Sequence, residues 1–318
     1  MQISTIIFSF LTAFALSWVT SYFLIPILRK FRAGQNILSY VVEHKQKSGT
    51  PTMGGIAFVV ASVITTLLFI NTLDRTLLVT LVIGGAYMMI GLLDDMLKLR
   101  KKQNLGLTAI QKLTFQILVS IFATIYAIKS GLTELNIPFI NRQIDFGYWL
   151  LPLGIFVFLA TVNCVNLTDG LDGLVGGSCV PLFLFFGAIL AMQKENSLSI
   201  LSFALSASLL GYLCFNAYPA SVFMGDTGSL ALGGFLSCIA LFSGNLFYIA
   251  TVGVVFVMSG LSVILQVVYF KGTKGKRIFK MTPIHHHFQE CGYSETKISY
   301  SYFIVTLILA LINLIFII

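Results

Sequence analysis

The chain has 318 residues, of which 57% are hydrophobic and 10% charged, and its mean hydropathy is +0.92. This composition excludes a soluble globular protein, and the 28 Phe and 12 Tyr residues exclude an intrinsically disordered chain. For so apolar a protein, the net charge of +8 indicates interaction with a membrane surface and not with a nucleic acid.

Apolar segments recur along the whole chain. Because one membrane-spanning helix needs about 20 mainly apolar residues, the length accommodates roughly ten spans with short loops. We place these segments near residues 4–28, 54–73, 76–93, 112–129, 148–167, 174–193, 198–216, 229–243, 246–270 and 298–317. The first lacks the basic start of a cleaved signal peptide, so we expect a retained helix. The sequence predicts an all-α polytopic membrane protein in which residues 1–318 form one domain.

Lys and Arg residues are distributed unequally between the two sides of these segments. Of the 20 Lys and Arg residues, all but Arg75, Lys129, Arg142 and Lys194 fall on one side. Cytoplasmic loops carry an excess of these residues. The more basic side is therefore predicted to be cytoplasmic, and an even number of spans places both termini outside.

The five cysteines match neither a disulfide framework nor a metal-binding spacing. They are odd in number and widely spaced: Cys164, Cys179, Cys214, Cys238 and Cys291. We interpret them as small, buried hydrophobic side chains.

Unusual polar motifs occur in the loops on the predicted cytoplasmic side, after the first, third, fifth, seventh and ninth spans. In chain order they occupy residues 49–55, 94–95, 163–172, 225–229 and 285–287. The outer loops carry only scattered acidic residues. The five motifs are therefore expected to converge on one cleft at the cytoplasmic boundary.

Five aspartates at the ends of apolar segments are candidates for metal chemistry: Asp94, Asp95, Asp169, Asp172 and Asp226. Helix capping or pairing with lysine would explain any one of them, but an unpaired carboxylate is costly there, so five together indicate function. Magnesium takes carboxylate oxygens together with substrate phosphates, which predicts a Mg²⁺ site. Adjacent Asp94 and Asp95 on a helix point about 100° apart, which disfavours joint binding of one ion.

A second polar pattern repeats at every third residue and comprises Asn163, Asn166, Asp169 and Asp172. Side chains three residues apart nearly align in a 3₁₀ turn, whereas in an α-helix their direction rotates by about 60° at each step. Neighbouring Gly170 and Gly173 are typical of a distorted helix end. We expect these side chains to line one wall of the cleft, where amides suit a base or a sugar.

Two further motifs suit phosphate. Glycine and hydroxyl residues at 225–229 lead into an apolar helix and can present free backbone amides to an anion, although an ordinary turn and N-cap gives the same pattern. Three consecutive histidines diverge too far to face one metal, so phosphate contacts fit them better than a metal site. The alternative is one packed and two solvated histidines.

The basic run at 271–280 suits both anionic lipid headgroups and attraction of a polyanionic substrate.

Together these motifs resemble the phospho-N-acetylmuramoyl-pentapeptide transferase branch of the polyprenyl-phosphate N-acetylhexosamine-1-phosphate transferases. The matching stretches are GTPTMGG at 49–55, GLLDD at 91–95, KKQNLGL at 101–107, NCVNLTDGLDGL at 163–174, FMGDTGS at 223–229 and KMTPIHHHF at 280–288. They occur in family order across almost the whole chain. PTMGG and PIHHHF favour this branch over those that use UDP-N-acetylglucosamine.

The resemblance implies that undecaprenyl phosphate attacks the β-phosphate of UDP-N-acetylmuramoyl-pentapeptide, giving lipid I and UMP with Mg²⁺ as cofactor. It also implies a bacterial cytoplasmic membrane, an active site that faces the cytoplasm, and a homodimer. Phosphoryl transfer depends mainly on positioning and charge neutralisation, which suits a polar cleft at the membrane boundary.

The resemblance further implies roles for single residues. Asp226 would bind Mg²⁺, Asp94 would assist the lipid phosphate, and Asp95 would support the metal or orient a lysine. Uracil would lie near Asp172 and stack on Phe223. The histidines grouped with the catalytic aspartates would contact phosphate or the sugar side: His285, His286 and His287. Further substrate contacts would come from Lys47, Thr52, Lys102, Lys112, Asn163, Asn166, Asp169, Asn216 and Gln266.

Several alternatives stay open at the level of sequence. The transfer can proceed by direct attack of the lipid phosphate or through a phospho-aspartate, and we favour direct transfer. A sister enzyme would move N-acetylglucosamine-1-phosphate to the same lipid. A secondary transporter would also place polar residues at broken helices, but its motifs would lie near the bilayer midplane and in paired repeats.

Overall fold

The computed structural model describes residues 3–30, 49–101, 106–140 and 142–317. The helices are α1 Ile3–Lys30, α2 Gly55–Phe69, α3 Arg75–Lys101, α4 Ala109–Lys129, α5 Leu150–Thr168, α6 Leu174–Met192, α7 Asn196–Asn216, α8 Gly225–Phe242, α9 Tyr248–Val252, α10 Val254–Gly272, α11 Ile284–Glu290 and α12 Glu295–Ile315. Two short strands, β1 Glu134–Ile137 and β2 Arg142–Asp145, lie between α4 and α5.

Every apolar segment predicted from the sequence contains a helix. Within the described ranges, nine helices are long and apolar enough to cross a membrane, and α2 is a shorter apolar helix of 15 residues. The ninth predicted segment is divided at Gly253 into α9 and α10. The prediction of an all-α polytopic membrane protein is confirmed.

Three local features differ from the sequence-based expectation. The outer connection between α4 and α5 contains an antiparallel hairpin in which Glu134 pairs with Asp145. The strands have four residues each and little apolar alternation, so no strand pattern is visible in the sequence. The helix predicted from residue 229 begins four residues earlier, at Gly225, and the histidines lie on the short helix α11.

Helix α8 forms the centre of the bundle. Its residues from Thr227 to Phe242 are all buried, and it packs against α3 and α5. Helices α6 and α7 are also largely buried, whereas α1, α4 and α12 keep broad apolar faces exposed. Glycines on α3 and α8 allow close backbone approach, as is common between membrane helices.

This packing places the first turn of α8 beside the last turns of α3 and α5. Helices α1, α3 and α10 end there with basic residues, namely Arg29, Lys30, Lys98, Arg100, Lys101 and Lys271. We call this side of the bundle the basic end. The polar motifs therefore share one end of the bundle.

The cysteine interpretation is correct only in part. Cys179 and Cys238 are buried and Cys164 is half-buried, as expected of small hydrophobic side chains. Cys214 and Cys291 are exposed, because Cys214 lies on an outward face of α7 and Cys291 follows the end of α11. All five are free thiols.

Candidate active site

Three carboxylates meet where α3 ends and α8 begins. One oxygen from each of Asp94, Asp95 and Asp226 lies within 4.8 Å of the others. Asp94 and Asp95 are each 3% exposed, and Asp226 is half-buried. The expectation that Asp94 and Asp95 diverge too far to share an ion is wrong for their oxygens, because one carboxylate oxygen of each side chain lies within 4.8 Å of the other. An acidic cluster able to hold a metal ion is present.

Two lysines neutralise this cluster. The Nζ of Lys98 lies 2.7 Å from Oδ2 of Asp94, 3.1 Å from Oδ2 of Asp226 and 3.8 Å from Oδ1 of Asp95. The Nζ of Lys112, on α4, donates to the same Asp226 oxygen at 2.6 Å. Three acids therefore share two ammonium groups in a partly desolvated setting, where charge pairing is stronger than in water.

Asp95 binds the N-terminus of α8. Its carboxylate accepts hydrogen bonds from the backbone N–H of Asp226 at 3.3 Å and of Thr227 at 3.0 Å, and from the Thr227 hydroxyl at 2.7 Å. These amides belong to the first turn of α8, whose N–H groups have no partner within the helix. The interpretation of residues 225–229 as free amides for phosphate is therefore wrong for these two donors, because Asp95 occupies them.

Gly225 permits this close arrangement. Its φ is +70°, a left-handed conformation that favours glycine. A Cβ at this position would also overlap the Asp95 carboxylate and lie 2.5 Å from the Thr52 hydroxyl. Thr52 is thereby placed beside the acidic cluster, and a side chain at residue 225 would displace both neighbours.

The residues spaced by three along α5 separate into different environments. Asn166 donates to Oδ1 of Asp226 at 3.0 Å and to the hydroxyl of Ser229 at 2.8 Å. Asn163 lies deeper and donates to Gln116 at 2.8 Å. Asn163 and Asn166 therefore do not line one wall together, because their amides bond to different helices, α4 and α8.

Asp172 orders the connection between α7 and α8. Its Oδ2 accepts from the backbone N–H of Ala220 at 2.9 Å. Asn216 holds the same connection, since its Nδ2 donates to the carbonyl of Val222 at 2.9 Å. The Phe223 backbone bonds to the carbonyl of Pro51, which fixes a half-buried aromatic ring beside the motif at 49–55.

The three histidines point to different surroundings. His285 is fully buried, and both of its ring nitrogens lack a hydrogen-bond partner among the described residues. The His286 ring lies against that of His285, with centroids 4.3 Å apart and the planes tilted by 56°, and a Cβ on Gly170 would overlap both rings. The Nδ1 of His287 accepts from the backbone N–H of Lys280 at 3.2 Å. His285 and His286 therefore lie against the turn after α5, whereas His287 bonds to the segment that precedes α11.

Two titratable groups near that turn are perturbed. Burial raises the pKa of Asp169 well above its ordinary value, and the negative charges of Asp226, Asp95 and Asp172 raise it further, against a smaller opposing effect of Lys98. Burial lowers the pKa of His285 to about 3, and the neighbouring His286 adds to this shift. His285 is therefore a neutral imidazole at neutral pH, with one donor and one acceptor.

The neutral His285 predicts an acid-sensitive fold. In the unfolded chain the His285 imidazole has an ordinary pKa of about 6.5. Below that pH the ring therefore binds a proton in the unfolded chain but stays neutral in the folded chain. The stability contributed by the neutral ring is present above pH 6.5 and is lost as the pH falls, by about 2 kcal/mol between pH 7 and pH 5. Thermal unfolding of His285→Phe should show a shallower decline over this range than the wild type. An unchanged slope would contradict the burial of this ring.

The remaining predicted contacts have mixed outcomes. Gln266 is buried on α10, and its Oε1 accepts from the backbone N–H groups of Ile278 and Phe279 at 3.1 and 3.0 Å. It therefore orders the segment that leads to the histidines. Lys47 and Lys102 lie outside the described residues.

Sequence reasoning missed several residues of the cluster. Lys98 follows Asp94 by four positions and Asp95 by three, a helical spacing that identifies an ion-pair partner. Thr227 and Ser229 lay within a motif already singled out, but their partners come from α3 and α5. No local pattern reveals such contacts.

Comparison with known proteins agrees with this arrangement. Residues 77–244, more than half of the chain, match the model described as glycosyl transferase family 4, and residues 47–59 match the phospho-N-acetylmuramoyl-pentapeptide-transferase signature 1. The signature covers Thr52, and the longer match covers all three clustered aspartates.

Curated relatives align over nearly their whole length. A phospho-N-acetylmuramoyl-pentapeptide-transferase of Clostridium perfringens is 44% identical over 308 residues, which cover 96% of this chain and 97% of that protein. The enzyme of the same name from Clostridium novyi is 44% identical, covering 98% and 96%, and that from Listeria welshimeri is 40% identical, covering 98% of each. The chain belongs to the phospho-N-acetylmuramoyl-pentapeptide-transferase family.

Proposed function

We propose that this protein transfers phospho-N-acetylmuramoyl-pentapeptide from its UDP-linked donor to undecaprenyl phosphate, forming lipid I and UMP in peptidoglycan synthesis. The observation that carries the proposal is the cluster of Asp94, Asp95 and Asp226 around Lys98 at the basic end of a membrane bundle. Family membership supplies the substrate class. The cluster supplies groups suited to a reaction between two phosphates.

The proposed cofactor is Mg²⁺. The possible ligand atoms are all carboxylate oxygens, which suit a hard cation, and Asp226 contributes the oxygen that both lysines contact. Asp226, with Asp94 and Asp95, would hold the ion. When bound, Mg²⁺ would neutralise charge on the donor diphosphate.

Lys98 and Lys112 supply fixed positive charge that stabilises the negative charge on the reacting phosphates. Both ammonium groups lie within 3.1 Å of Oδ2 of Asp226, so they are held at the point where the donor diphosphate would approach. Positive charge fixed in place before substrate arrives needs no reorganisation during transfer. Asn166 orients the other Asp226 oxygen and so keeps the carboxylate in position.

Asp94 orients the lipid phosphate and accepts any residual proton from it. A phosphate monoester has a second pKa of about 6, so near neutral pH its nucleophilic oxygen is already largely ionised. Asp94 is itself fixed by Lys98 and by the backbone N–H of Leu107 at 2.7 Å. Its main contribution is therefore geometric.

The nucleoside of the donor binds between Asp172 and Phe223. The half-buried ring of Phe223 offers a stacking surface, and the buried carboxylate of Asp172 offers an acceptor for a base. Neutral His285, whose ring nitrogens have no partner among the described residues, supplies a donor for a phosphate oxygen and an acceptor for a sugar hydroxyl beside Gly170.

Direct attack by the lipid phosphate is the favoured route. Asp94 and Asp95, two of the three carboxylates in the cluster that could serve as the nucleophile of a two-step route, both accept charge-assisted hydrogen bonds. Such contacts reduce their nucleophilicity. Rapid quenching with donor labelled in the β-phosphate should therefore trap no phospho-enzyme before lipid I forms, whereas a labelled aspartate that appears first would require the two-step route.

The orientation proposed for the chain follows the distribution of charge. The basic end faces the cytoplasm, both termini lie outside, and the protein resides in a bacterial inner membrane as one domain. The cytosolic nucleotide donor and the membrane lipid can then meet at the boundary where the acidic cluster lies. A homodimer remains a prediction from the family resemblance.

UMP release tests the proposed function. Purified protein with Mg²⁺ and undecaprenyl phosphate should release UMP from UDP-N-acetylmuramoyl-pentapeptide and none from UDP-N-acetylglucosamine. Release from the second donor alone would assign the chain to the sister activity. Solute uptake into vesicles without UMP release would instead support a transporter.

A further inference from the structure

Helix α12 holds the backbone of Asp172 from both sides. The side-chain Oε1 of Glu295, the first residue of α12, accepts a hydrogen bond from the Asp172 N–H. One turn later, the hydroxyl of Ser299 donates to the Asp172 carbonyl at 3.0 Å. Both backbone polar groups of Asp172 are thus bound by a helix more than 120 residues away in sequence. The peptide planes that flank Asp172 are fixed by these contacts.

Fixing this backbone also fixes the connection that carries Phe223. The Asp172 carboxylate accepts from Ala220 at 2.9 Å, and Ala220 lies between the end of α7 and Phe223. A chain of direct hydrogen bonds therefore runs from Glu295 through Asp172 to this connection. A displacement of Asp172 would therefore move its own carboxylate and the Phe223 ring together.

A role in helix capping alone does not account for Glu295. An acidic residue in the first turn is favourable for any helix, but Ser294 already caps α12 by accepting from the backbone N–H of Lys297. The Glu295 side chain instead reaches a different segment and binds an N–H there. A charged acceptor for a backbone donor makes a stronger hydrogen bond than a neutral one, which suits a rigid tether.

We propose that Glu295 is a positioning residue for the nucleotide donor, acting through the backbone of Asp172 to set the nucleoside pocket formed with Phe223. This inference rests on the proposed function, because the pocket is assigned there. Glu295 contacts neither of the reacting phosphate groups in this scheme. Its loss should therefore weaken donor binding and leave the chemical step largely unchanged.

Steady-state kinetics of UMP release test the inference. Glu295→Ala should raise KM for UDP-N-acetylmuramoyl-pentapeptide about tenfold, the effect expected when a charge-assisted hydrogen bond is lost. KM for undecaprenyl phosphate and kcat should stay within about twofold, since neither depends on this tether. Glu295→Gln retains an acceptor oxygen and should restore most of the donor affinity.

A matched control and a second variant guard against loss of folding. Glu290→Ala removes an exposed carboxylate from the end of α11, with the same change in charge, and should leave all three constants unchanged. Ser299→Ala removes only the carbonyl contact and should raise the donor KM by a smaller factor. An unchanged donor KM in folded Glu295→Ala, or a fall in kcat at constant KM, would overturn the inference. A wild-type protein that released no UMP would instead refute the proposed function.

Discussion

Asp226→Asn should reduce the rate of UMP release by roughly 10²- to 10³-fold, the loss typical of removing one electrostatic contact from a preorganised site. The Asp226 carboxylate contacts Lys98, Lys112 and Asn166, and its oxygens complete the cluster with Asp94 and Asp95. An amide has the same shape but no charge and only one acceptor oxygen. The variant should therefore fold and fail in catalysis.

Two controls make this result specific. Asp145→Asn changes an exposed carboxylate on the hairpin at the other end of the bundle and should leave UMP release unchanged. Thermal unfolding should show that Asp226→Asn remains folded. A variant that retained more than about a tenth of wild-type activity would remove Asp226 from the centre of the mechanism.

Asp95→Asn should lower both stability and activity. The Asp95 carboxylate accepts hydrogen bonds from two backbone amides and one hydroxyl at the start of α8. Replacing the carboxylate by an amide leaves these donors poorly paired. Loss of such a charged, buried acceptor costs about 1–3 kcal/mol of unfolding free energy. Because the same turn carries Asp226, UMP release should fall about 100-fold as that carboxylate shifts.

Thr227→Val separates the hydroxyl contact from the backbone contacts. It removes one hydrogen bond to Asp95 and keeps both amide donors, so we expect a stability loss of about 1 kcal/mol and less than a tenfold loss of activity. The unfolding midpoint and the rate of UMP release should be measured on the same samples. Equal behaviour of Asp95→Asn and wild type would show that this carboxylate does not position α8.

The membrane-spanning helices could be predicted from the sequence because the bilayer constrains them. Spanning hydrocarbon imposes a narrow length and strict apolarity on each helix, so the ten segments were visible without knowledge of their packing. Alternation of the loops then placed Asp94, Asp95 and Asp226 on one side. The hairpin at 134–145 obeys no such constraint, because its short polar strands are held by the neighbouring turn, where Asn136 N–H binds the carbonyl of Gly244.

The contacts within the site were not predictable to the same degree. Periodicity placed Asn163 and Asn166 in one polar stripe, but only tertiary packing shows that Asn163 binds Gln116 while Asn166 binds Asp226. Likewise the geometry of an isolated helix predicts that Asp94 and Asp95 diverge, whereas in the folded chain one oxygen of each lies within 4.8 Å of the other and of an Asp226 oxygen. Glu295 lies in no recognisable sequence motif, because its role depends on the backbone N–H of Asp172, in a distant turn.

Binding of Mn²⁺, followed by electron paramagnetic resonance, tests the central claim that the three clustered aspartates hold the catalytic ion. Mn²⁺ prefers the same oxygen ligands as Mg²⁺ and gives a signal that changes when it is bound. Wild-type protein should bind one ion per chain in competition with Mg²⁺, and Asp226→Asn should bind it at least about tenfold more weakly. Equal binding by the two proteins would place the ion elsewhere and contradict the account.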